Sequence, residues 1–384
     1  MNTRSLQASA LVDVLINIVW EKGGVSHEDR FFAQGVNTYR DLLPGSPLEM
    51  LLKNQNESGL RLAVGPGDLL AEYDPKKVST LPWSRLGPGA KDLFKKGRFY
   101  PAGLFSSALP NVFKGNIQPM RCIDISDAGI HADLNHPMAE MEFLLEMSVE
   151  SYHEKPEERG GSSNDWMHFA LEGPGMQARY QNRATDFFIP GAFDRKDSAP
   201  DKVFYTKDRF VHHIDAKARQ HLSRIYEQLL QPGDRVLDLM AGWGSHLPEK
   251  IRLKSVHGLG MNENELAGNP ALSSHTIQDL NENPFLEFID ASFDAVICSL
   301  SIEYLDNPLP VYNEVARVLK PGGLFAVSFS NRWFPEKAIK IWEDLHEFER
   351  MGLVMEYFYR ADMFESLSTV SIRGYPRPYD DKYA

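Results

Sequence analysis

Cysteine is nearly absent. Only Cys122 and Cys298 occur in 384 residues, far apart, so no cysteine-rich metal site is expected, and Cys298 inside an apolar run reads as a buried, inert thiol. A long hydrophobic run is also missing. The most apolar early stretch, residues 8–20, is broken by Asp13 and Asn17, too short and too polar to span a bilayer or serve as a secretory core. A cytoplasmic protein without a membrane partner is the default expectation. Basic charge is short: 41 Lys and Arg face 53 Asp and Glu, a net charge of −12, and residues 201–384 hold 20 basic against 27 acidic groups. With both halves acidic, no basic domain is set aside for a nucleic-acid backbone. No internal repeat or long low-complexity tract appears.

What is present is a soluble globular composition, 42% hydrophobic and 24% charged, in a chain long enough for two domains. The clearest break is residues 154–200, rich in Gly, Pro, Ser and charge, which reads as a connector between 1–153 and 201–384. Downstream, helical and strand periods alternate. Ala216–Leu230 and Leu309–Leu319 read as helices; Arg235–Leu239, Ser255–Leu259, Phe293–Leu300 and Leu324–Ser328 read as strands. Such alternation predicts a parallel α/β sheet. A helix is expected over Pro335–Arg350, followed by strands at Val354–Phe358 and Thr369–Ile372. Upstream, strand-like Val12–Val19, Leu60–Val64 and Phe143–Val149 among frequent turn residues predict a mostly β domain with one or two short helices.

The informative segment is Val236-Leu237-Asp238-Leu239-Met240-Ala241-Gly242-Trp243-Gly244-Ser245. A strand runs into small residues, and a helix is expected to begin near Ser245. At the carboxyl edge of a parallel sheet such a turn faces ligand, and its glycines let ligand atoms approach the backbone.

These residues, with Phe293-Asp294-Ala295-Val296-Ile297-Cys298-Ser299-Leu300 and Arg317-Val318-Leu319-Lys320-Pro321-Gly322-Gly323-Leu324, resemble three motifs of class I S-adenosylmethionine-dependent methyltransferases, in the correct order. The resemblance implies a Rossmann-like α/β domain over 201–384, a mostly parallel sheet with helices on both faces. It implies S-adenosylmethionine as cofactor and S-adenosylhomocysteine as product. The cofactor contacts it implies are Tyr205, Asp238, Leu239, Ala241, Gly242, Gly244, Met261, Asn262, Asp279, Leu280 and Ser299. Asp279 would accept from the adenine amino group and the Leu280 N–H would face an adenine ring nitrogen. Two departures stand out: Met240 replaces the first glycine, and Gly260 stands where the second strand usually ends in a ribose-binding acid, leaving Asn262 or Glu263 to reach round. More narrowly, Phe204-Tyr205, Arg209-Phe210-Val211, His213-Ile214-Asp215, the turn through His246-Leu247-Pro248, and Gly260-Met261-Asn262 resemble a bacterial and plastid, type 11-like branch with the same departures.

Methyl transfer asks mainly for in-line placement, with a base when the nucleophile carries a proton. Base candidates are His213, Asp215 and His246, with Tyr304, Tyr205 and Arg209 shaping the site; equally, Asp215 could cap the helix that begins at Ala216. In the first half, residues 62–78 and Asp133-Leu134-Asn135-His136-Pro137-Met138-Ala139 are similar to SlyD-like FKBP-type prolyl isomerases. That resemblance implies a β-rich α+β domain over 1–153 whose insert, roughly 73–135, binds extended polypeptide. Leu70 replaces a pocket tyrosine, and only Asp29 and Asp41 stand near the expected acid, which argues against isomerase turnover. His131, His136 and His153 have no metal-site spacing. The leading expectation is methyl transfer to an unidentified acceptor, a peptide or protein being suggested by the N-terminal domain, which would recruit or orient it. The alternative is a catalytically silent, chaperone-like binder that retains the methyltransferase fold.

Overall fold

The computed structural model describes residues 10–53, 59–110, 112–154 and 160–379. Its first strand follows from alternation: Val12, Val14, Ile16, Ile18 and Trp20 are all buried along β1 (Ala10–Lys22). Gly23 and Gly24, both at positive φ, make the two-residue turn into antiparallel β2 (Val25–Asn37), the geometry that matches strand twist. Next come β3 (Leu60–Val64), β4 (Val78–Pro82), β5 (Phe99–Pro101), β6 (Pro119–Ile125), β7 (Gly129–Asp133) and β8 (Phe143–Glu154). In the second half lie β9 (Arg235–Leu239), β10 (Ser255–Gly260), β11 (Ser274–Ile277), β12 (Phe293–Ser299) and β13 (Leu319–Ser328), with β14 (Ser368–Arg373) last.

The chain divides into two units. One runs through Asp186 and adds His346–Gly352 and Glu365–Pro376; the other holds Phe187–Leu345, Leu353–Phe364 and the residues from Arg377. In the first unit, β14-β2-β1-β8-β3 form one sheet and β4-β7-β6-β5 a second, smaller one with its own core around Phe105, Met120 and Ile130. Asn135 ties the neck of that insert, its side-chain carbonyl accepting from Asp74 N and its amide donating to the Asp74 carbonyl. The helix Trp166–Leu171 buries Met167, Ala170 and Leu171 in the core of the larger sheet. Residues 160–186 are therefore part of the first unit rather than a linker; residues 155–159 of the expected connector lie outside the described residues.

The second unit is a five-stranded sheet, order β11-β10-β9-β12-β13, with every pairing parallel. Alternate residues of its central strands serve opposite faces. Val236, Ala295 and Ile297 share a core with Leu222 and Tyr226 of the helix Ala216–Leu229. Leu237, Val296 and Cys298 share another with Val311 and Val315 of the helix Pro308–Val318. Among the described residues, no helix is long and apolar enough to cross a membrane.

Three expectations need correction. Val354–Phe358 is not a strand: it lies within the helix Glu347–Ala361, where Leu353, Val354 and Tyr357 bury at helical spacing. Pro335–Arg350 is not one helix but loop, a short helix Lys340–Asp344 and the start of that later one. The strand at Thr369–Ile372 forms, yet it joins the first unit, parallel to β2. Its anchor is Asp29, fully buried, which accepts from Arg373 Nη2 at 2.9 Å and from the Ser371 hydroxyl at 2.5 Å. Arg373 also donates to the carbonyls of Phe169 and Ala170. Replacing Arg373 by Met strands a buried carboxylate, so chemical denaturation should register a loss of about 3–5 kcal/mol in the first unit.

Candidate functional site

The strand order of the second unit reverses at its centre: from β9 the chain steps outward to β10 and β11, then returns on the other side to β12 and β13. Two loops therefore diverge from the carboxyl ends of β9 and β12, the place where open α/β sheets bind ligands. A pocket opens there, with about 1020 Å³ of empty space counting its open mouth. Met240 and Leu300, just past the two strands, and His246 in the same wall all hold left-handed backbone (φ +57°, +57° and +55°), which L side chains adopt at a cost of about 1–2 kcal/mol each.

The turn after β9 explains one of the two sequence departures, Gly260. Ala241 N donates to the Leu259 carbonyl at 2.8 Å, folding the turn back over the end of β10. A Cβ at Gly260 would lie 2.2 Å from the Ala241 carbonyl oxygen, so no acid can stand there. The expected helix near Ser245 does not form: the chain stays irregular to Lys254, with His246 left-handed and Pro248 following. Side chains knit this stretch instead. Asn269 Nδ2 donates to the Gly242 carbonyl (2.8 Å) and to Ser245 Oγ (2.9 Å). Ser245 in turn hydrogen-bonds Asp238, whose Oδ2 has no partner among the described residues and whose carboxyl burial pushes up to about 7.

Most residues expected at the site do meet in this pocket. Ala241, Gly242 and Gly244 form one wall, and Met261 and Asn262 follow from β10. Asp279 and Leu280 come from the loop after β11, Ser299 and Tyr304 from the end of β12 and beyond. Asp279 accepts from Asn281 N, and burial raises its carboxyl above the ordinary range. Ser299 Oγ bonds Tyr226 Oη at 2.7 Å; Tyr304 Oη accepts from Phe334 N at 2.9 Å. The segment from the short helix Asp201–Tyr205 to His213 contributes Tyr205, His212 and His213, with the Arg209 guanidinium stacked on Phe204 at 4.3 Å.

Others are placed elsewhere. Asp215 is spent as a helix cap, its carboxylate accepting from Ala218 N at 2.9 Å, and it does not line the pocket. Asp238 and Leu239 are buried behind the wall. Asn262 lines it, but its Oδ1 caps Glu265 N while its Nδ2 donates to the Tyr205 carbonyl and to Asp208. Glu263 turns outward to His275 (2.9 Å). Neither is free to reach round to a ligand. Sequence reasoning missed Glu265, Gln278, Asn281 and Phe334; a carboxylate one helical turn past the end of β10 was the available signal.

Among the base candidates, burial lowers His213, helped by Arg209, Arg332 and His212. His246 is held lower, to about 4, by burial and then by His212, Arg219 and His213. Folded His246 therefore stays neutral where the unfolded chain's imidazole, at the ordinary 6.5, takes a proton. Between these values the unfolded state binds more protons, so stability falls as pH drops from 6.5 towards 4. His246→Gln should flatten that decline by up to about 3 kcal/mol in denaturation measured across the window. Gly260→Ala should destabilise the second unit by about 1–3 kcal/mol, since the clash is with backbone, read in the same denaturation assay at pH 7.

Residues 237–327 match a family model described as a methyltransferase domain. Curated relatives include a sterol 24-C-methyltransferase of Yarrowia lipolytica, 29% identical over 166 residues, covering 40% of this chain and 41% of that protein. Another sterol 24-C-methyltransferase, from Gibberella zeae, is 35% identical over 161 residues, 40% of each chain. The chain thus spans about two fifths of the length of these relatives. A solved S-adenosylmethionine-dependent methyltransferase from Mesorhizobium loti is 26% identical, covering 28% of this chain and 52% of that one, at a TM-score of 0.23, too slight a likeness to build on. Residues 237–327 are thus similar to a methyltransferase domain.

Proposed function

We propose that the protein transfers a methyl group from S-adenosylmethionine to a small acceptor held in the same pocket. The observation that carries this reading is the pocket itself, set where the strand order reverses, in the stretch of chain that matches a methyltransferase family model. The residues fit the cofactor. At Gly244 an added Cβ would meet no protein atom within 4 Å, so the turn presents bare backbone to the cavity. Asp279 would offer a carboxylate to an adenine amino group, the Leu280 N–H would face the ring, and Met261 would supply an apolar contact. When bound, the cofactor supplies an electrophilic methyl on sulfonium.

The chain's own work is placement and proton removal. Tyr205, Tyr304 and Phe334 wall the cavity and exclude water from the reacting atoms. His213, uncharged at neutral pH, takes the acceptor's proton; His246, with a pKa of about 4, is too weak a base for that step. The acceptor in this reading is mainly apolar, since Val211, Trp243, Leu300, Leu305 and Phe334 share the cavity and two relatives are named for sterols.

For the first unit we assign substrate recruitment. Support comes from its SlyD-like motifs and from Leu93, Leu104, Phe113 and Ile117, which its insert exposes by 51–74%. A peptide acceptor has no support in the pocket. Asp41 is already used internally, accepting from Asn37 N, Asn164 N and Trp166 Nε1 at 2.9 Å, and Leu70 packs against the sheet core.

Calorimetric titration of the full chain with S-adenosylmethionine and S-adenosylhomocysteine tests the reading. Micromolar binding, about −8 kcal/mol, is expected. Asp279→Ala should weaken it roughly 10- to 100-fold, as loss of a charge-assisted hydrogen bond does. No binding of either ligand at millimolar concentration overturns the proposal.

A further inference from the structure

Of the carboxylates in the pocket wall, Asp201, Glu265 and Asp279, two are engaged by neighbours. Asp201 meets Arg195 Nη1 (2.6 Å), Asn281 Nδ2 (2.9 Å) and Lys337 Nζ (3.2 Å). Asp279 closes its own loop through backbone N–H groups of Asn281 and Glu282. Glu265 is different. It lies in the short helix Glu263–Ala267, half-buried, and one oxygen, Oε1, accepts from Arg209 N at 2.7 Å. The other, Oε2, has no protein partner among the described residues and borders the glycine turn, 3.2 Å from where a Cβ on Gly242 would be. Backbone anchorage on one side and open cavity on the other fix the carboxylate towards the ligand.

Its place in the turn is telling. The strand-end position at Gly260 is closed by the Ala241 carbonyl; Glu265 abuts Gly242, the next residue of that turn. Resting on the methyl-donor reading above, we propose that Glu265 holds the ribose diol of S-adenosylmethionine, from the helix after β10 rather than from the strand end. An ionised carboxylate is acceptor-only and suits two adjacent hydroxyl donors. Asn262 and Glu263 cannot compete, being committed to Asp208 and Tyr205 and to His275. A second consequence follows from the Arg209 N contact: the segment that carries Tyr205 and His213 is tied to the same carboxylate that grips the nucleoside, so the wall over the cofactor is registered on the ribose.

A pair of ligands and a pair of variants test this. S-adenosylhomocysteine and its 2′,3′-dideoxy analogue are titrated calorimetrically into the full-length wild type, Glu265→Gln and Asp279→Asn. Glutamine keeps an oxygen for Arg209 N, so the fold is preserved. The wild type should prefer the diol ligand by roughly 10- to 100-fold, and Glu265→Gln should lose that preference while binding the dideoxy analogue as the wild type does. Asp279→Asn should weaken both ligands equally. Equal weakening of both ligands by Glu265→Gln, or no effect, overturns the assignment while leaving the methyl-donor reading intact. Failure of the wild type to bind S-adenosylhomocysteine overturns the reading beneath it as well.

Discussion

The contact on which the second unit's site depends is backbone on backbone: the turn after β9 lies so close to the end of β10 that only glycine fits at 260. The 2.8 Å bond from Ala241 N to the Leu259 carbonyl extends the sheet by one rung and bends the chain across the strand end. Everything near it adjusts. Met240 takes a left-handed conformation to enter the bend. No helix follows, and Asn269 and Ser245 supply bonds that a first helical turn would have made internally. With Gly260 closed, the short helix after β10 brings the Glu265 carboxylate back to the turn at Gly242.

Strain and unpaired polarity gather at the same spot. Met240, His246 and Leu300 are non-glycine residues at positive φ around one cavity, and Asp238 is fully buried beneath it with an oxygen that lacks a partner among the described residues. Such features persist only where surrounding structure over-determines them, and they concentrate at binding sites. Asp238 is held there by its bond to Ser245, though an apolar side chain would bury at less cost.

How much of this was legible depended on whether the signal was local. Loose alternation over Val12–Val19 and the apolar run Phe293–Leu300 announced their strands, and Val311, Val315 and Val318 announced a helix. The run Val354–Phe358 misled because five mostly apolar residues fit either period; its helical partners Phe348 and Leu353 lie just upstream. That Thr369–Ile372 pairs with a strand some 340 residues earlier could not be read locally, since the Asp29–Arg373 pair that fixes it is invisible without the fold. The pocket-lining turn was readable from its glycines, but the reason for Gly260 was not, because it lies in the carbonyl of a residue on another strand's loop. Asp215 offered two readings from one position, and the cap prevailed because Ala218 N needed an acceptor.

The cover of the pocket has its own anchor, built from charge rather than backbone. Lys337 is fully buried, its ammonium 2.9 Å from Asp197 Oδ2 and 3.2 Å from Asp201 Oδ1, with the Ala199 carbonyl at 2.8 Å. A buried lysine with this many acceptors is fully compensated, and its value lies in holding one arrangement, because removing either partner would leave an expensive uncompensated charge. What it holds is the stretch 197–201, which leads directly into the helix Asp201–Tyr205 over the cavity. Asp201 also accepts from Asn281, two residues beyond Asp279, while Asn262 holds the Tyr205 carbonyl from the opposite side. The covering segment is thereby fastened at both ends to loops that carry pocket residues.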